Sequence, residues 1–211
     1  SGMWKSAMEV HYRNYMNDST DYPVGEKILY VDNAGRINVS PSISPDGKYL
    51  TFLSERDIFT LDLYLADIQT GKIIKKLSSI VKHDDIDDFN FIESSGTWSP
   101  DGKKFAFVIF EKGINKLAIL DVEKAKIIEE IKIPEVPSFI NPSWSPDSKY
   151  ILLSGLVNGQ NDLYLYELKT GKIDQLTNDY LANIHPSWSS DGKYIVYAAE
   201  KLNDLDNRKK Y

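Results

Sequence analysis

The sequence predicts an all-β fold: a partial β-propeller of about four four-stranded blades, the last incomplete, with a short N-terminal α-helix. Two observations predict this architecture. One short segment recurs four times along the chain at the spacing typical of propeller blades. The strand that follows each copy is apolar on both faces, as expected for a sheet that is covered on both sides.

The recurring segment is clearest in the run Pro142-Ser-Trp-Ser-Pro-Asp-Ser-Lys-Tyr150. Related copies begin at Pro41, Gly96 and Pro186. The copies carry aspartates that lie 55, 46 and 44 residues apart in sequence, namely Asp46, Asp101, Asp147 and Asp191. A period of about 40 to 50 residues indicates one supersecondary unit per repeat, as in propellers.

Each copy is predicted to be a tight turn between two strands. Proline presets φ, aspartate accepts a hydrogen bond from the backbone just ahead, and glycine adopts a positive φ. Ser148 replaces the glycine in the third copy and Ser190 replaces the proline in the fourth, so we expect these two turns to be looser. Because the turn accounts for the four aspartates, they are not predicted to be catalytic.

The strand after each turn carries apolar residues at alternate positions in all four copies: Leu50 and Phe52, Phe105 and Phe107, Ile151 and Leu153, Ile195 and Tyr197. The intervening positions are also mostly apolar: Thr51, Ala106, Leu152 and Val196. A third strand, a polar turn and a more polar fourth strand follow in the first three copies. Four antiparallel strands of falling hydrophobicity are typical of one propeller blade.

Three tryptophans share one repeat position, Trp98, Trp144 and Trp188, and the first copy has Ile43 there. We expect these rings to fill the wedge between neighbouring sheets. The alternative is an aromatic ring around the channel that grips a ligand. The isoleucine favours packing, because a stacking surface tolerates that replacement less easily.

Three motifs together resemble the TolB-like β-propeller repeat: the run Trp98-Ser-Pro-Asp-Gly-Lys103, the strand Asp162-Leu-Tyr-Leu-Tyr166 and the turn Thr170-Gly-Lys172. The resemblance covers roughly residues 27–200. Within the family, the chain is similar to propellers that follow a metallopeptidase-like domain in bacterial cell-envelope proteins. It implies a non-catalytic scaffold that binds a protein or peptide in the periplasm or cell envelope. The alternative that it implies is an accessory propeller of a larger peptidase, which gates or positions substrate.

Residues 1–22 are predicted to hold a cleaved-tag remnant, an amphipathic helix over 3–16 and a linker, and residues 23–211 the propeller. A strand over Lys27–Asp32 with a turn at Asn33-Ala-Gly35 is expected before the first blade. The blades are placed near 39–79, 94–133, 140–178 and 184–211. Because propellers close with about 4–8 blades, we expect a piece of a longer protein or a homodimer through the open blade edges.

Composition excludes several functional classes. The net charge of −6 argues against nucleic-acid binding, which needs a basic face. No run approaches the ~20 apolar residues of a membrane helix, so no direct membrane insertion is expected. The sequence has no cysteine, no His-Glu-x-x-His motif and no Gly-x-Ser-x-Gly motif. No catalytic residue and no enzymatic activity are therefore predicted for this chain.

Two candidate binding features remain. The acidic cluster Asp84, Asp85, Asp87 and Asp88 could hold Ca²⁺, which prefers several hard oxygen ligands, or a basic partner segment. The alternative is a solvated loop between blades, and the spacing does not match the known calcium loop. No other cofactor is predicted. His185 precedes Pro186 at the expected entry of an innermost strand, near the channel mouth, either as a ligand contact or as a hydrogen-bonded loop residue.

Overall fold

The structure is a computed structural model that describes residues 27–56, 61–78, 88–89 and 96–200. This part of the chain contains one four-residue helix, α1 (Val31–Ala34), and fifteen strands. The first nine strands are β1 (Asn38–Ile43), β2 (Tyr49–Ser54), β3 (Asp62–Asp67), β4 (Ile73–Ser78), β5 (Asp88–Phe89), β6 (Thr97–Trp98), β7 (Lys104–Glu111), β8 (Ile114–Asp121) and β9 (Lys126–Ile131). The remainder are β10 (Ser138–Trp144), β11 (Tyr150–Val157), β12 (Gln160–Glu167), β13 (Ile173–Gln175), β14 (Asn183–Trp188) and β15 (Ile195–Ala199).

The strands form successive antiparallel sheets in chain order, which confirms the all-β prediction. Blade 1 has the order β1-β2-β3-β4 and blade 3 the order β10-β11-β12-β13. Blade 2 is built on β7-β8-β9, and its innermost strand consists of two short pieces, β5 and β6, that both pair with β7. In the described residues blade 4 comprises β14 and β15. The domain limits drawn from the sequence stay a prediction.

The turn of the recurring segment is held by one aspartate and one serine. Asp46 Oδ1 accepts hydrogen bonds from Ser44 Oγ at 2.7 Å and from the Lys48 amide at 3.2 Å. Ser44 Oγ in turn accepts from the Tyr49 amide at 2.9 Å. The predicted role of aspartate is thus confirmed. The serine was missed by the sequence reasoning, which treated it only as part of the repeat.

The same network recurs in the other three copies, around Asp101, Asp147 and Asp191. Ser148 takes the place of glycine at φ 63°, and the proline-free fourth turn keeps its backbone hydrogen bond from Gly192 N to Ser189 O at 2.9 Å. The equivalent bond in the first turn is 2.8 Å long. The expected loosening is therefore not seen in the hydrogen bonds, because serine and aspartate fix the turn without the proline.

The hydrophobic core lies in the seams between blades. We call the face of a blade that points to the preceding blade its leading face and the opposite one its trailing face. In the first seam, Leu53 and Leu65 of blade 1 pack in one cluster with Trp98, Phe105 and Phe107 of blade 2. A second cluster joins blades 2 and 3 in the same way. Both faces of the central blades are buried, as the two-sided apolar pattern predicted.

Two of the three repeat tryptophans, Trp98 and Trp144, pack in these seams, which confirms the packing interpretation for them. Trp98 is 6% exposed and meets Phe105 edge to face, with ring centroids 5.5 Å apart. Its Nε1 donates to the Ser42 carbonyl of the preceding blade at 3.1 Å. Trp144 is buried in the second seam. These two rings thus each join two blades and are not available as a ligand-stacking surface, whereas Trp188 of blade 4 is half-buried.

The predicted strand over Lys27–Asp32 is wrong. Residues 27–30 have no regular structure, and α1 follows, with the Ala34 amide donating to the Tyr30 carbonyl at 2.9 Å. Gly35 ends this turn at φ 82°. The helical turn is favoured because it places Ala34, which is fully buried, against Phe52 on the leading face of blade 1. The helix predicted over 3–16 lies outside the described residues.

Candidate functional site

A cleft of about 250 Å³ opens where the innermost strands of blades 2, 3 and 4 meet. We call it the inner-strand pocket. Its lining comes from three equivalent chain segments: Gly96 and Thr97, then Asn141, Pro142 and Ser143, then His185, Pro186 and Ser187. The structure places His185 on β14, exposed and in this lining. The innermost strands of a propeller line its central channel, so a pocket between the innermost strands of three blades opens on the channel side.

A repeated backbone irregularity shapes the pocket. Asn141 and His185 adopt left-handed φ values of 52° and 53°, and Ser40 in blade 1 does the same at 53°. In each case a proline follows and the pairing of the inner strand shifts register at this point. A bulge of this kind bends the strand and re-aims the side chains next to it. Asparagine and histidine tolerate the left-handed region better than most residues.

The residue type at His185 therefore has a structural explanation as well as a functional one. Because the backbone is left-handed there, Asn141 and His185 are interchangeable on conformational grounds. The imidazole is exposed, so it is free to meet a ligand from solvent. Asn141, in contrast, is only 7% exposed and forms the wall behind it.

The pocket is lined by polar side chains, glycine and proline. None of the lining residues is Asp, Glu, Lys or Arg. Its hydrogen-bonding side chains are Thr97, Asn141, Ser143, His185 and Ser187. Thr97 Oγ1 also accepts a hydrogen bond from the Trp144 amide at 3.2 Å, which ties the wall of blade 2 to that of blade 3. Such a surface can pair with amide or hydroxyl groups but offers no ion pair.

Sequence reasoning singled out His185 and missed its neighbours Thr97, Asn141, Ser143 and Ser187. The signal was present, since the four residues stand at or just after the position of His185 when the repeats are aligned. The bulge, which depends on backbone geometry, could not be read from one sequence.

The acidic cluster stays a prediction. Asp84, Asp85 and Asp87 lie outside the described residues, and of Asp88 the structure gives only its backbone position in β5. Within residues 27–56, 61–78, 88–89 and 96–200, no three His, Asp or Glu side chains come close enough to hold a metal ion. The turn aspartates are spread over four blades and each is engaged within its own turn.

The pKa values of the turn aspartates are shifted by their turns. The Ser44 hydroxyl and the Lys48 amide hold the pKa of Asp46 below its ordinary value. The pKa values of Asp101, Asp147 and Asp191 are lowered by the equivalent serines for the same reason. A lowered pKa keeps a carboxylate ionised and suits a structural hydrogen-bond acceptor, so these groups fit no acid–base role at neutral pH.

No helix in the described part of the chain is both long enough and apolar enough to cross a membrane. Successive antiparallel sheets with tryptophans buried between them define the class of the protein as a β-propeller. The sequence profile of the TolB beta propeller domain matches residues 81–203, more than half of the chain. The protein belongs to the TolB β-propeller domain family.

Two curated relatives are similar over most of the chain. The Tol-Pal system protein TolB of Ruthia magnifica subsp. Calyptogena magnifica is 29% identical over an alignment of 167 residues, and the match covers 73% of this chain and 39% of that protein. Dipeptidyl-peptidase 5 of Porphyromonas gingivalis is 25% identical over an alignment of 157 residues, and the match covers 64% of this chain and 20% of that protein. The chain thus spans well under half the length of either relative.

A solved structure supports the fold. The crystal structure of TolB from Acinetobacter baumannii matches with a TM-score of 0.69 at 22% sequence identity. The match covers 84% of this chain and 41% of that one. At this identity the likeness shows the fold alone.

Proposed function

We propose that the chain is a non-catalytic scaffold that binds an extended segment of a protein or peptide in the inner-strand pocket. The observation that carries this proposal is the chemistry of the pocket, where three blades converge with neutral hydrogen-bonding side chains. Main-chain amides of an extended peptide are neutral donors and acceptors, and they match such a surface. The membership of the TolB propeller family supports a binding role over a catalytic one.

His185 is the pocket residue best placed to contact the peptide, because its side chain is exposed and adopts no role in the core. Ser187 lies beside it on β14 and is exposed as well. The binding energy would come from several modest hydrogen bonds, each worth about 0.5–1.5 kcal/mol. We therefore expect a weak interaction whose energy is spread over several side chains, with no single dominant anchor.

The test uses a random dodecapeptide library displayed on phage and selected on the immobilised chain. Selected peptides are synthesised and titrated by fluorescence anisotropy against the wild type and the double variant His185→Asn with Ser187→Ala. The asparagine suits the left-handed backbone, as Asn141 shows at the equivalent position, so the variant removes the imidazole without straining the bulge. Tyr180→Ala is the control, since Tyr180 is 95% exposed and lies outside the pocket lining.

We expect His185→Asn together with Ser187→Ala to weaken the peptide about tenfold, in line with one or two lost hydrogen bonds. The control should bind as the wild type does. Selected peptides that bind the double variant and the wild type equally would place binding elsewhere. Failure to enrich any peptide would refute the proposal.

A second candidate function is an accessory propeller of a larger peptidase. The similarity to dipeptidyl-peptidase 5 favours it, since that relative is named as a peptidase and the matched region is only 20% of its length. The coding sequence on both sides of the chain decides between the two. A catalytic domain encoded beside the propeller would support the accessory role, and its absence would leave the scaffold.

The proposed location is the periplasm or cell envelope of a bacterium. It rests on the relative named as a protein of the Tol-Pal system. Cell fractionation followed by immunodetection of the full-length protein tests it. Recovery with the cytosolic marker would contradict this location.

A further inference from the structure

A second cleft, of about 370 Å³, opens in the seam between blades 1 and 2, next to the turns at one end of the strands. We call it the seam cleft. Its lining is contributed by both blades: Tyr49, Leu65, Ile74 and Lys75 from blade 1, and Gly102, Lys103, Asp121, Val122 and Glu123 from blade 2. None of these residues lines the inner-strand pocket, so the seam cleft is a separate feature of the molecule.

The seam cleft has an apolar floor and an apolar rim. Leu65 and Val122 are buried in the first seam and form the floor. Tyr49 and Ile74 are 36% and 46% exposed, so they present apolar surface to solvent at the rim. Gly102 carries no side chain that could fill the space beside them. This part of the cleft suits one apolar side chain of a partner.

Two lysine ammonium groups in the lining are not matched by a carboxylate. Three of the four turn lysines lie 3.4–3.5 Å from the aspartate of their own turn: Lys48, Lys149 and Lys193. Within the described residues Lys103, the fourth, forms no such ion pair. Lys75 Nζ donates to the Glu123 carbonyl across the seam at 2.7 Å, which positions the ammonium group without neutralising it. Since an ammonium group has three donors, Lys75 keeps donors for a ligand.

The lining also carries two carboxylates, and one of them is compensated. Asp121 accepts a hydrogen bond from the Lys124 amide at 2.9 Å and lies 3.2 Å from Lys124 Nζ, and these contacts hold its pKa below the ordinary value. Glu123 is exposed and has no ion pair in the part of the chain that the structure describes. With Lys124 included, three ammonium groups face two carboxylates. The seam cleft therefore has a surplus of positive charge on a protein whose net charge is −6.

The equivalent cleft between blades 2 and 3 differs at the positions that carry these features. Lys104 stands there in place of Tyr49. Glu129, which pairs with Ile119 as Lys75 pairs with Leu65, brings a negative charge to the position of Lys75. The combination of an exposed apolar rim with unmatched ammonium groups is thus a property of the seam cleft and is not imposed by the repeat.

We propose that the seam cleft binds the C-terminal residue of a peptide, with its apolar side chain against Tyr49 and Ile74 and its carboxylate on Lys103 and Lys75. A C-terminal residue carries both groups on one α-carbon, so both fit in one small cleft. An internal acidic residue would not match as well, because its neighbour in an extended chain points to the opposite side. Capture of a terminal carboxylate is a recurring mode of peptide recognition, and hydrogen bonds between ionised groups are the strong ones.

The experiment titrates the full chain against a fluorescein-labelled hexapeptide that ends in leucine, made with a free C-terminal carboxylate or with a C-terminal amide. Fluorescence anisotropy measures binding. Lys103→Met keeps most of the aliphatic stem and removes the charge, whereas Lys103→Arg keeps the charge. Lys149→Met is the matched control, since Lys149 stands at the equivalent position of the next turn and lies 3.4 Å from Asp147. Circular dichroism verifies that each variant is folded.

We expect the wild type to bind the free acid at least about tenfold more tightly than the amide, the effect of a hydrogen bond between charged groups. Lys103→Met should remove most of this preference, and Lys103→Arg and Lys149→Met should keep it. Equal binding of the two peptides to the wild type, or binding of neither, would overturn the proposal. So would a preference for the free acid that survives Lys103→Met combined with Lys75→Met.

Two further measurements separate the terminal carboxylate from other sources of affinity. Glu123→Gln removes a like charge from the lining, so it should tighten the free acid and leave the amide unchanged. A weaker free acid in this variant would contradict the proposed position of the carboxylate. An amidated peptide with glutamate before its final leucine should bind no better than the plain amide. If it binds as tightly as the free acid, the cleft recognises acidic side chains and the assignment to a C-terminus is wrong.

Discussion

Lys76 Nζ on β4 lies 2.6 Å from a carboxylate oxygen of Asp62 on β3, and the Asp62 side chain is fully buried. At the equivalent position of blade 2 the signs are reversed, with Lys116 on β8 at 2.9 Å from Glu130 on β9. Lys116 also pairs with Glu111. In blades 1 and 2 the start of the third strand thus carries a buried charged side chain, and the fourth strand supplies the side chain of opposite charge.

Asp62→Ala is expected to lower the free energy of unfolding by about 3 kcal/mol, because it removes one partner of a largely buried ion pair and leaves the other behind. Urea denaturation followed by circular dichroism measures it. The swapped variant Asp62→Lys with Lys76→Glu, which copies the arrangement in blade 2, should recover part of the loss. No recovery would show that the fold of blade 1 depends on the order of the charges.

Lys172→Ala provides the surface counterpart. Lys172 pairs with Asp174 at 2.8 Å, but both side chains are more than half exposed. Exposed ion pairs contribute at most about 1 kcal/mol. A loss for Lys172→Ala as large as that for Asp62→Ala would mean that burial is not what makes the Asp62 pair strong.

Ser148→Gly is expected to stabilise the protein by about 0.5 kcal/mol. Ser148 has φ 63°, where a β-carbon costs about 1–2 kcal/mol, so its removal stabilises the folded state. Glycine also makes the unfolded chain more flexible, and this offsets part of the gain in the free energy of unfolding. Thermal and urea unfolding measure the change. The reverse substitution Gly47→Ser serves as the control: Gly47 has φ 71° and no atom within 4 Å of where a β-carbon would stand, so only backbone strain should act. Stabilisation by Gly47→Ser would contradict the reasoning.

Acid is expected to weaken the turns. The hydroxyl of Ser44, and then the Lys48 amide, lower the folded-state pKa of Asp46 below the ordinary 3.8, and the other turn aspartates are shifted likewise. A folded-state pKa below the unfolded one favours the fold above the unfolded value. That contribution is lost as the pH falls through the lower, folded-state pKa.

The triple variant of Ser44, Ser99 and Ser145 to Ala should therefore be less stable at neutral pH. It should also lose less further stability between about pH 5 and pH 2, because its aspartates no longer differ as much between the folded and unfolded states. Urea unfolding across this range tests both statements. Ser138→Ala, on β10 outside the turns, is the control. An unchanged acid slope in the triple variant would argue against the serine as the cause.

Gly155→Ala is expected to destabilise the seam between blades 2 and 3 by about 2 kcal/mol, the usual cost of overpacking. An added β-carbon would collide with Val136 Cγ1 and lie 2.7 Å from the Tyr164 ring. Val136→Ala in the same chain removes the colliding methyl groups and should restore part of the loss. Additive effects of the two changes, measured by urea unfolding, would exclude the collision as the reason.

The repeat could be predicted from the sequence because the residue types within each copy are typical of a tight turn followed by a strand that is apolar on both faces. Pro-Asp-Gly and the alternate pairs such as Phe105 and Phe107 needed no tertiary information. The segment at Lys27–Asp32 was misjudged because its short apolar run suits a strand or a helical turn equally. The packing of this segment against Phe52, on strand β2 of blade 1, favours the helical turn.

The site was harder to predict. His185 was identified from its place before Pro186, but the pocket depends on where three separated segments meet after folding. The left-handed backbone at Asn141 and His185 is a property of strand pairing, and a bulge has no fixed residue code. The two inner pieces of blade 2, β5 and β6, pair with β7 in different registers, which the sequence pattern did not predict.

The absence of carboxylate, ammonium and guanidinium groups from the walls of the inner-strand pocket has a kinetic consequence. A partner without net charge that docks there would gain no electrostatic guidance, so its association rate constant should lie near the unguided value of about 10⁵–10⁶ M⁻¹s⁻¹. For such a partner, added salt should leave that rate almost unchanged, since screening acts only on charges. Selectivity among partners would then arise after encounter, in how long each one remains bound.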